Sequence, residues 1–391
     1  MFVELHLLQN FAPSCLNRDD TNSPKDCEFG GTRRARISSQ CIKRAIRTYF
    51  KNESSLPPEN LARRTARLVD LVAEGLTKAG KDPAKARQMA EAAARGWGLG
   101  FKEDKTQYLI LLGTKEVSAL INSCEAHWEA LSKMDFSKPD EDTEEEGGKG
   151  HKGRKKTDKA AMPPDFKKAL EKVLDGGKAV DLALFGRMLA DLPDKNIDAA
   201  CQVAHALSTN QMNMEFDFFT AVDDLSPKEE TGAGMMGTVE FNSACFYRYA
   251  NIDFSLLNQN LGNDVVLARK AVEAFLRAAV AAIPTGKQNS MAAQNPPSLV
   301  FAVVRDQGLW SLANAFVDPI RSDAKGGLIQ KSITALEDYW MKLAAAYGEA
   351  GIKAKRVLSL DGNLSKLVEC NVSTLEALIK AVMAALPGDQ P

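Results

Sequence analysis

Six cations stand within fifteen residues, Arg33, Arg34, Arg36, Lys43, Arg44 and Arg47, with no acid among them. The whole chain sums to −1, so the +6 of this run leaves −7 elsewhere. Charge placed so unevenly points to an anionic partner at one place on the surface. Gly30 and Gly31 come just before the run, and glycine permits close backbone approach to a ligand. Ser38 and Ser39 add hydroxyls at the expected start of a helix, where free N–H groups and the helix dipole favour phosphate. Lys43, Arg44 and Arg47 continue the charge along one helical face. A charge run alone is usually a solvated face. Glycines, hydroxyls, a helix start and consecutive cations together favour nucleic acid, and nothing in the run reads a base.

A second group is apolar. Phe216, Phe218, Phe219, Met235, Met236 and Phe241 flank or border a charged, Gly-rich stretch from Asp223 to Gly237. The segments Met212 to Val222 and Thr238 to Ile252 are rich in aromatic and β-branched residues, which predicts a long β-hairpin. Such side chains can stack on bases or pry them apart. Periodicity alone favours plain packing against the domain or a neighbouring subunit.

Signals for catalysis are sparse. Asp19, Asp20 and Asp26 sit beside Asn17, Arg18 and Lys25. Paired carboxylates can hold magnesium for phosphodiester cleavage. Turn formation and ion pairing are the commoner uses of an Asn/Asp loop. Cys124 with His127, and Cys201 with His205, are spaced to share a helical face, where core packing is the commoner role. Cys15, Cys27 and Cys41 with His6 supply four zinc-ligand types, but at no standard spacing. We expect no metal and no cofactor. Gly232, Gly234 and Gly237 spell G-x-G-x-x-G, yet the dinucleotide fingerprint needs a strand before it and a helix after. Here a charged turn precedes and a strand follows. No Walker-type phosphate loop is present.

The elements that must position these groups are those of a globular protein. Hydrophobic residues make up 45% and charged residues 26% of 391, which excludes collagen-like, fibrous and wholly disordered classes and allows two or three folding units. Seven cysteines without a C-x-x-C argue for a reducing compartment. Met1 to Leu8 lacks the features of a secretory signal, and the most apolar stretch, Ala271 to Ile283, is too short to span a bilayer. The expectation is a soluble, cytoplasmic protein.

Phe2 to Leu8 reads as a strand with Val3, Leu5 and Leu7 on one face and Glu4 and His6 on the other. A loop is expected from Asn10 to Thr32. A helix opens at Ser38 or Ser39, with Ile42, Ala45, Ile46 and Tyr49 on its apolar side. Glu59 to Leu189 is mostly helical in pattern. Within it, Asp82-Pro83 marks a helix start. Six of the seven residues from Asp140 to Glu146 are acidic, and a Gly/Lys/Arg segment follows, so 134–163 is expected to be a mobile loop. Later come a helix from Asp264, a buried strand at Leu299 to Val304, a helix with Ile329, Ile333, Leu336 and Trp340, and a last helix with a Ser373/Glu376 capping box. The order suits an α+β sheet domain interrupted by an insertion better than a doubly wound sheet.

Several blocks together resemble the backbone subunit of type I-E CRISPR Cascade complexes. They are Pro13 to Asp20 (PSCLNRDD), Phe29-Gly-Gly31, Arg33-Arg34, Arg36 to Gln40 (RISSQ) and Lys43-Arg-Ala45, with Phe219 to Asp224 (FTAVDD), Phe246 to Asn251 (FYRYAN), Gly286-Lys-Gln288 and Leu312 to Phe316 (LANAF). The resemblance implies a right-hand architecture: an RRM/ferredoxin-like palm from residues 1–56, 201–211 and 246–391, helical fingers at 57–200, and a β-hairpin thumb at 212–245. It implies a non-catalytic, antiviral function in which copies of the chain polymerise along CRISPR RNA and, with other Cascade subunits, present the spacer to a target DNA strand. Arg18, Lys25, Arg36, Ser38, Gln40, Lys43, Arg44 and Arg47 would then line the RNA backbone. Lys287 and Gln288 match a second RNA-contacting stretch, Met188 would pack on bases, and Phe219 and Met236 would wedge at a displaced base. Position 32 is Thr where a basic residue is expected. The alternative is a metal-dependent ribonuclease of the same RRM-like superfamily, using Asp19, Asp20 or Asp26.

Overall fold

A strand covered on both faces reads as an unbroken apolar run, and Leu299–Arg305 (LVFAVVR) is one up to its final arginine: all seven residues are buried. It belongs to a chain of thirteen described strands, β1 (Phe2–Ser14), β2 (Asp26–Phe29), β3 (Thr32–Ile37), β4 (Ala62–Thr65), β5 (Phe101–Lys102), β6 (Lys105–Thr106), β7 (Ile110–Gly113), β8 (Cys201–Val203), β9 (Ala206–Ser208), β10 (Glu215–Ala221), β11 (Met235–Asp253), β12 (Leu299–Arg305) and β13 (Ile352–Ser359). In this computed structural model the described residues are 1–53, 55–102, 105–132, 163–221, 235–324, 326–361 and 364–388. The segment expected to be a loop at 134–163 lies outside them, save Pro163, as does the hairpin tip at 222–234.

The chain divides into two compact units, Met1–Ser55 with Cys201–Ser255 and Arg269–Pro391, and Leu56–Ala200 with Leu256–Ala268. The first holds a nine-stranded sheet in the order β13-β12-β1-β11-β9-β3-β2, with β8 and β10 also paired to β11. The pairings of these strands are antiparallel. Helix Leu328–Tyr347 covers one face, where Ile333, Leu336 and Trp340 pack with Leu8, Phe301, Val303 and Phe316. The sheet is thus mixed with helices in an α+β arrangement.

Strand β1 departs from the one-face expectation, because Glu4 and His6 are buried as fully as Leu5. The polar side is covered too, and its groups pair with one another. The Tyr247 hydroxyl accepts from the Leu312 N–H at 2.8 Å and is hydrogen-bonded to His6 Nδ1 at 2.8 Å. Glu4 lies 2.8 Å from Arg305, whose guanidinium stacks over Trp310 at 4.1 Å. Burial first, then the Arg305 charge, pushes His6 down to about 3, so it is neutral at physiological pH.

The second unit is helical around Leu68, Val72, Leu76, Met89, Ala93, Trp97, Leu120, Phe166 and Leu170. Asp82 caps helix Pro83–Gly96 by accepting from the Lys85 N–H, with Pro83 in the first turn. Two small ladders, β4–β7 and β5–β6, interrupt the mostly helical pattern of this stretch.

Candidate nucleic-acid interface

The basic run begins in a β-hairpin, not in the loop expected up to Thr32. Phe29 pairs with Thr32, leaving Gly30 and Gly31 as a two-residue turn with φ of +60° and +71°. Such a turn needs φ > 0 at both positions, which glycine adopts freely. A Cβ on Gly30 would lie 2.1 Å from the Val317 carbonyl oxygen. The close approach that Gly30 permits is therefore to the chain's own backbone.

Neighbouring arginines separate on this hairpin. Arg33 is exposed and pairs with Asp26 at 2.5 Å. Arg34 is fully buried. Its Nε–H donates to the Thr32 hydroxyl at 2.9 Å, Nη1 donates to the carbonyls of Ser208 and Thr209 at 3.0 Å each, and Nη2 to those of Phe316 and Val317 at 2.8 Å each. A guanidinium has five N–H donors, and all five are used. This corrects the assignment of Arg34 to an RNA contact: it is a clamp joining β3, β9 and the 316–317 segment. Thr32, where a cation was expected, serves that clamp as an acceptor. Arg36 is half-buried, donating from Nε to the Asp26 carbonyl at 3.1 Å.

Helix α1 (Ser39–Asn52) follows. Ser38 is its N-cap and is buried; its Oγ accepts from the Cys41 N–H, and its own N–H donates to Asn17 Oδ1 at 2.8 Å. The Ser38 hydroxyl oxygen is thus the cap of α1, a role that uses its acceptor side and not its O–H donor. Ile42, Ile46 and Phe50 form the buried face. Ala45 and Tyr49, read as apolar-side residues, line a groove instead, together with Cys41, Arg44, Thr48 and Asn52. Gln40 and Arg44 are exposed, and Lys43 and Arg47 half-buried.

That groove, about 760 Å³, is closed by Leu16 to Asp20 and Asn22 on one side and by Ala281 to Gly286 on another. The two loops touch at Gly286, where a Cβ would lie 2.4 Å from the Leu16 carbonyl oxygen. Next to it, Lys287 takes the left-handed conformation at φ +51°. The Gln288 side-chain amide donates to the Pro284 and Ala293 carbonyls, holding the loop's shape. Charges meet here from distant segments. Burial pushes the Cys15 thiol up, and Arg18 and Lys287 both act against that rise. At Cys41 the opposing cations are Arg44 and Lys25. Arg18 and Arg44 thus line the groove, Lys287 follows its Gly286 edge, and Lys25 acts with Arg44 on Cys41 of its wall.

Asp19 and Asp20 line the same groove. Asp19 Oδ1 accepts from the Thr21 N–H and hydroxyl and from the Ser23 N–H, and these bonds, that of the Thr21 hydroxyl foremost, hold its carboxyl below the usual range. It builds a turn. Among the described residues no three His, Cys, Asp or Glu side chains gather as a metal-binding set.

In the hairpin of β10 and β11, every residue of β10 is exposed. Phe216, Phe218, Met235 and Met236 are at least 60% exposed, more than Phe219 at 37%. Packing within the unit does not explain them. Phe219 pairs with Gly237, and its ring covers that glycine, while Met236 pairs with Thr220. Directly paired residues share a face and successive ones alternate. Phe219 and Met236 therefore lie on opposite faces, Phe219 with Met235 and Met236 with Phe218.

Met188 lies in the second unit and is 81% exposed between two anchored residues. Arg187 is buried against Glu116 at 2.9 Å and bridges Ile197 through its backbone. Glu116 also accepts from the Gly113 and Gly176 N–H groups at 2.7 Å each. Sequence reading missed this pair, since its partners lie 71 positions apart. It also missed His205. The i, i+4 spacing from Cys201 had suggested a helix, but β8 and β9 are strands, and His205 is exposed on their link.

Among solved structures, one chain from a "CRISPR RNA-guided surveillance complex, pre-nicking" is 31% identical, with a TM-score of 0.83 over 98% of this chain and 100% of that one. A second, from a "CRISPR RNA-guided surveillance complex", is 25% identical with a TM-score of 0.72, covering 99% of this chain and 100% of that one. No curated protein matches. The family described as CT1975-like protein matches residues 3–385, and the chain belongs to it.

Proposed function

We propose that this chain is the non-catalytic RNA-binding backbone subunit of a type I-E Cascade complex. Copies polymerise along CRISPR RNA, and with other Cascade subunits they present the spacer to target DNA. The observation that carries the reading is the groove of the first unit, lined by Arg18 and Arg44, with Lys287 next to its Gly286 edge and Lys25 acting with Arg44 on Cys41 of its wall. The end-to-end likeness to chains of RNA-guided surveillance complexes supports it. In this reading the nine-stranded sheet is an RRM-like palm, the second unit the fingers, and β10–β11 the thumb.

Such a groove suits a guide whose sequence varies. Backbone contacts give affinity without preference among bases, and base pairing then reads the target. Purifying the chain with its neighbouring operon products and sequencing the RNA that accompanies it tests the reading. Small RNAs flanked by repeat sequence are expected. RNA of random origin, or none, would refute it.

A further inference from the structure

Lys25, Arg36 and His205 come together where β3 meets β2 and β9. The Arg36 N–H donates to the Lys25 carbonyl at 2.9 Å, so the two residues face each other across the hairpin's open end. Arg36 also pairs with Leu207 in β9, two residues beyond His205. Arg36 Nη1 lies 3.0 Å from His205 Nδ1. A guanidinium only donates, so Nδ1 is the acceptor and the neutral ring carries its proton on Nε2.

Among the described residues, the charges that act on this imidazole are positive. Burial first, then Arg36 of β3 and Lys25 before β2, hold His205 below its ordinary range. From α1, Lys43 faces Cys201 in β8. The adjacent carboxylate, Asp26, is engaged by Arg33 at 2.5 Å. The mutual repulsion of such a cluster is relieved by a bound anion.

We propose that His205 is the third ligand of a phosphate site with Lys25 and Arg36, and that it holds the phosphate as the imidazolium. The site rests on the RNA reading above, the phosphate being one of the guide's backbone. On binding, Nδ1 takes one proton from solution. The Arg36 Nη1–H bond to it breaks, and both that N–H and the new Nδ1–H turn to phosphate oxygens. The bound ring then titrates above the free ring. Its contribution is full below the free pKa and is lost as pH rises through the bound one.

NMR titration of the His205 ring, with and without inorganic pyrophosphate, tests the site; binding of a 30-nucleotide oligouridylate between pH 8 and 5.5 tests its use. His6, the other histidine of this unit, titrates at about 3 and stays silent. Pyrophosphate is expected to raise the ring's pKa by about one unit, equivalent to roughly tenfold tighter anion binding by the protonated form. Oligouridylate binding should tighten correspondingly as pH falls, and His205→Gln should flatten that slope. A ring pKa unmoved by pyrophosphate, or an equal slope in His205→Gln, overturns the proposal. A raised pKa with no oligouridylate binding at any pH rejects the RNA reading and keeps the phosphate site.

Discussion

Arg34 in β3 is fully buried with all its donors satisfied, whereas Phe216 and Phe218 in β10 are about two-thirds exposed with no cover from their own unit. Both strands belong to one sheet, and each reverses the usual placement of its residue type. The buried cation has a local explanation in five hydrogen bonds. The exposed aromatics have none, and in the proposed function they are the surface that meets the guide. A basic-looking residue is therefore structural, and core-like residues are the exposed ones.

The largest effect should separate Arg34 from its neighbour. Arg34→Met removes the guanidinium donors from four carbonyls, of which Thr209 keeps the Ile320 N–H and Val317 is only part-buried, at ~1–3 kcal/mol for each that stays unsatisfied. Allowing for relaxation, we expect ~3–5 kcal/mol of lost stability in urea denaturation, the scale of breaking a buried charge network. Arg33→Met, at an exposed pair, should leave the midpoint in place. Equal midpoints for the two variants would break the comparison.

Next in size is the groove. Arg18→Ala with Arg44→Ala and Lys287→Ala should weaken single-stranded RNA binding for every sequence alike. Each lost phosphate contact lowers the log–log salt slope by ~0.7, so the triple variant should lose about 2. A slope equal to wild type would reduce these cations to a solvated rim.

The hairpin comes third, and its geometry divides the prediction. Stacking a base on an aromatic is worth ~1–3 kcal/mol. Because Phe219 and Met236 occupy opposite faces, each single truncation to Ala should alter a different flank of any displaced base. Chemical probing of the bound guide should show reactive nucleotides at regular spacing, fading on one side in Phe219→Ala and on the other in Met236→Ala. RNA should still co-purify, since backbone contacts remain. Identical patterns in wild type and both variants would return these residues to plain packing.

The same contrast governs what the sequence discloses. Local chemistry reads well: Ser38 and Asp82 cap the helices they precede, and the apolar run of β12 is buried throughout. The last helix is capped by Thr374, one residue past the expected Ser373, because Glu376 turns to Arg277 instead of closing a box. Arg34 could not be read, since its four carbonyl acceptors lie 174 to 283 positions away. Strand β13, Ile352–Ser359, was missed because its lysines dilute a half-buried edge. The β2–β3 hairpin carried a true signal in Gly30-Gly31, but its short polar strands lack alternation.

The smallest expected effect concerns the carboxylates that share the groove with Arg18 and Arg44. Asp19→Asn keeps an oxygen that can accept the same bonds from Thr21 and Ser23, so the turn should persist. Asp20→Asn removes a second negative charge from the same lining. If the groove holds an RNA backbone, deleting two exposed negative charges should tighten binding slightly, within about threefold, since exposed charges couple weakly in water. Cleavage of bound RNA should be absent in wild type and variant alike, with magnesium or manganese supplied. A metal-dependent nuclease predicts the reverse on both counts: cutting by wild type, and its loss in the double variant with binding retained. The two readings of one groove thus part on the sign of a single product assay, and the binding change shows independently that the carboxylates lie beside the bound phosphates.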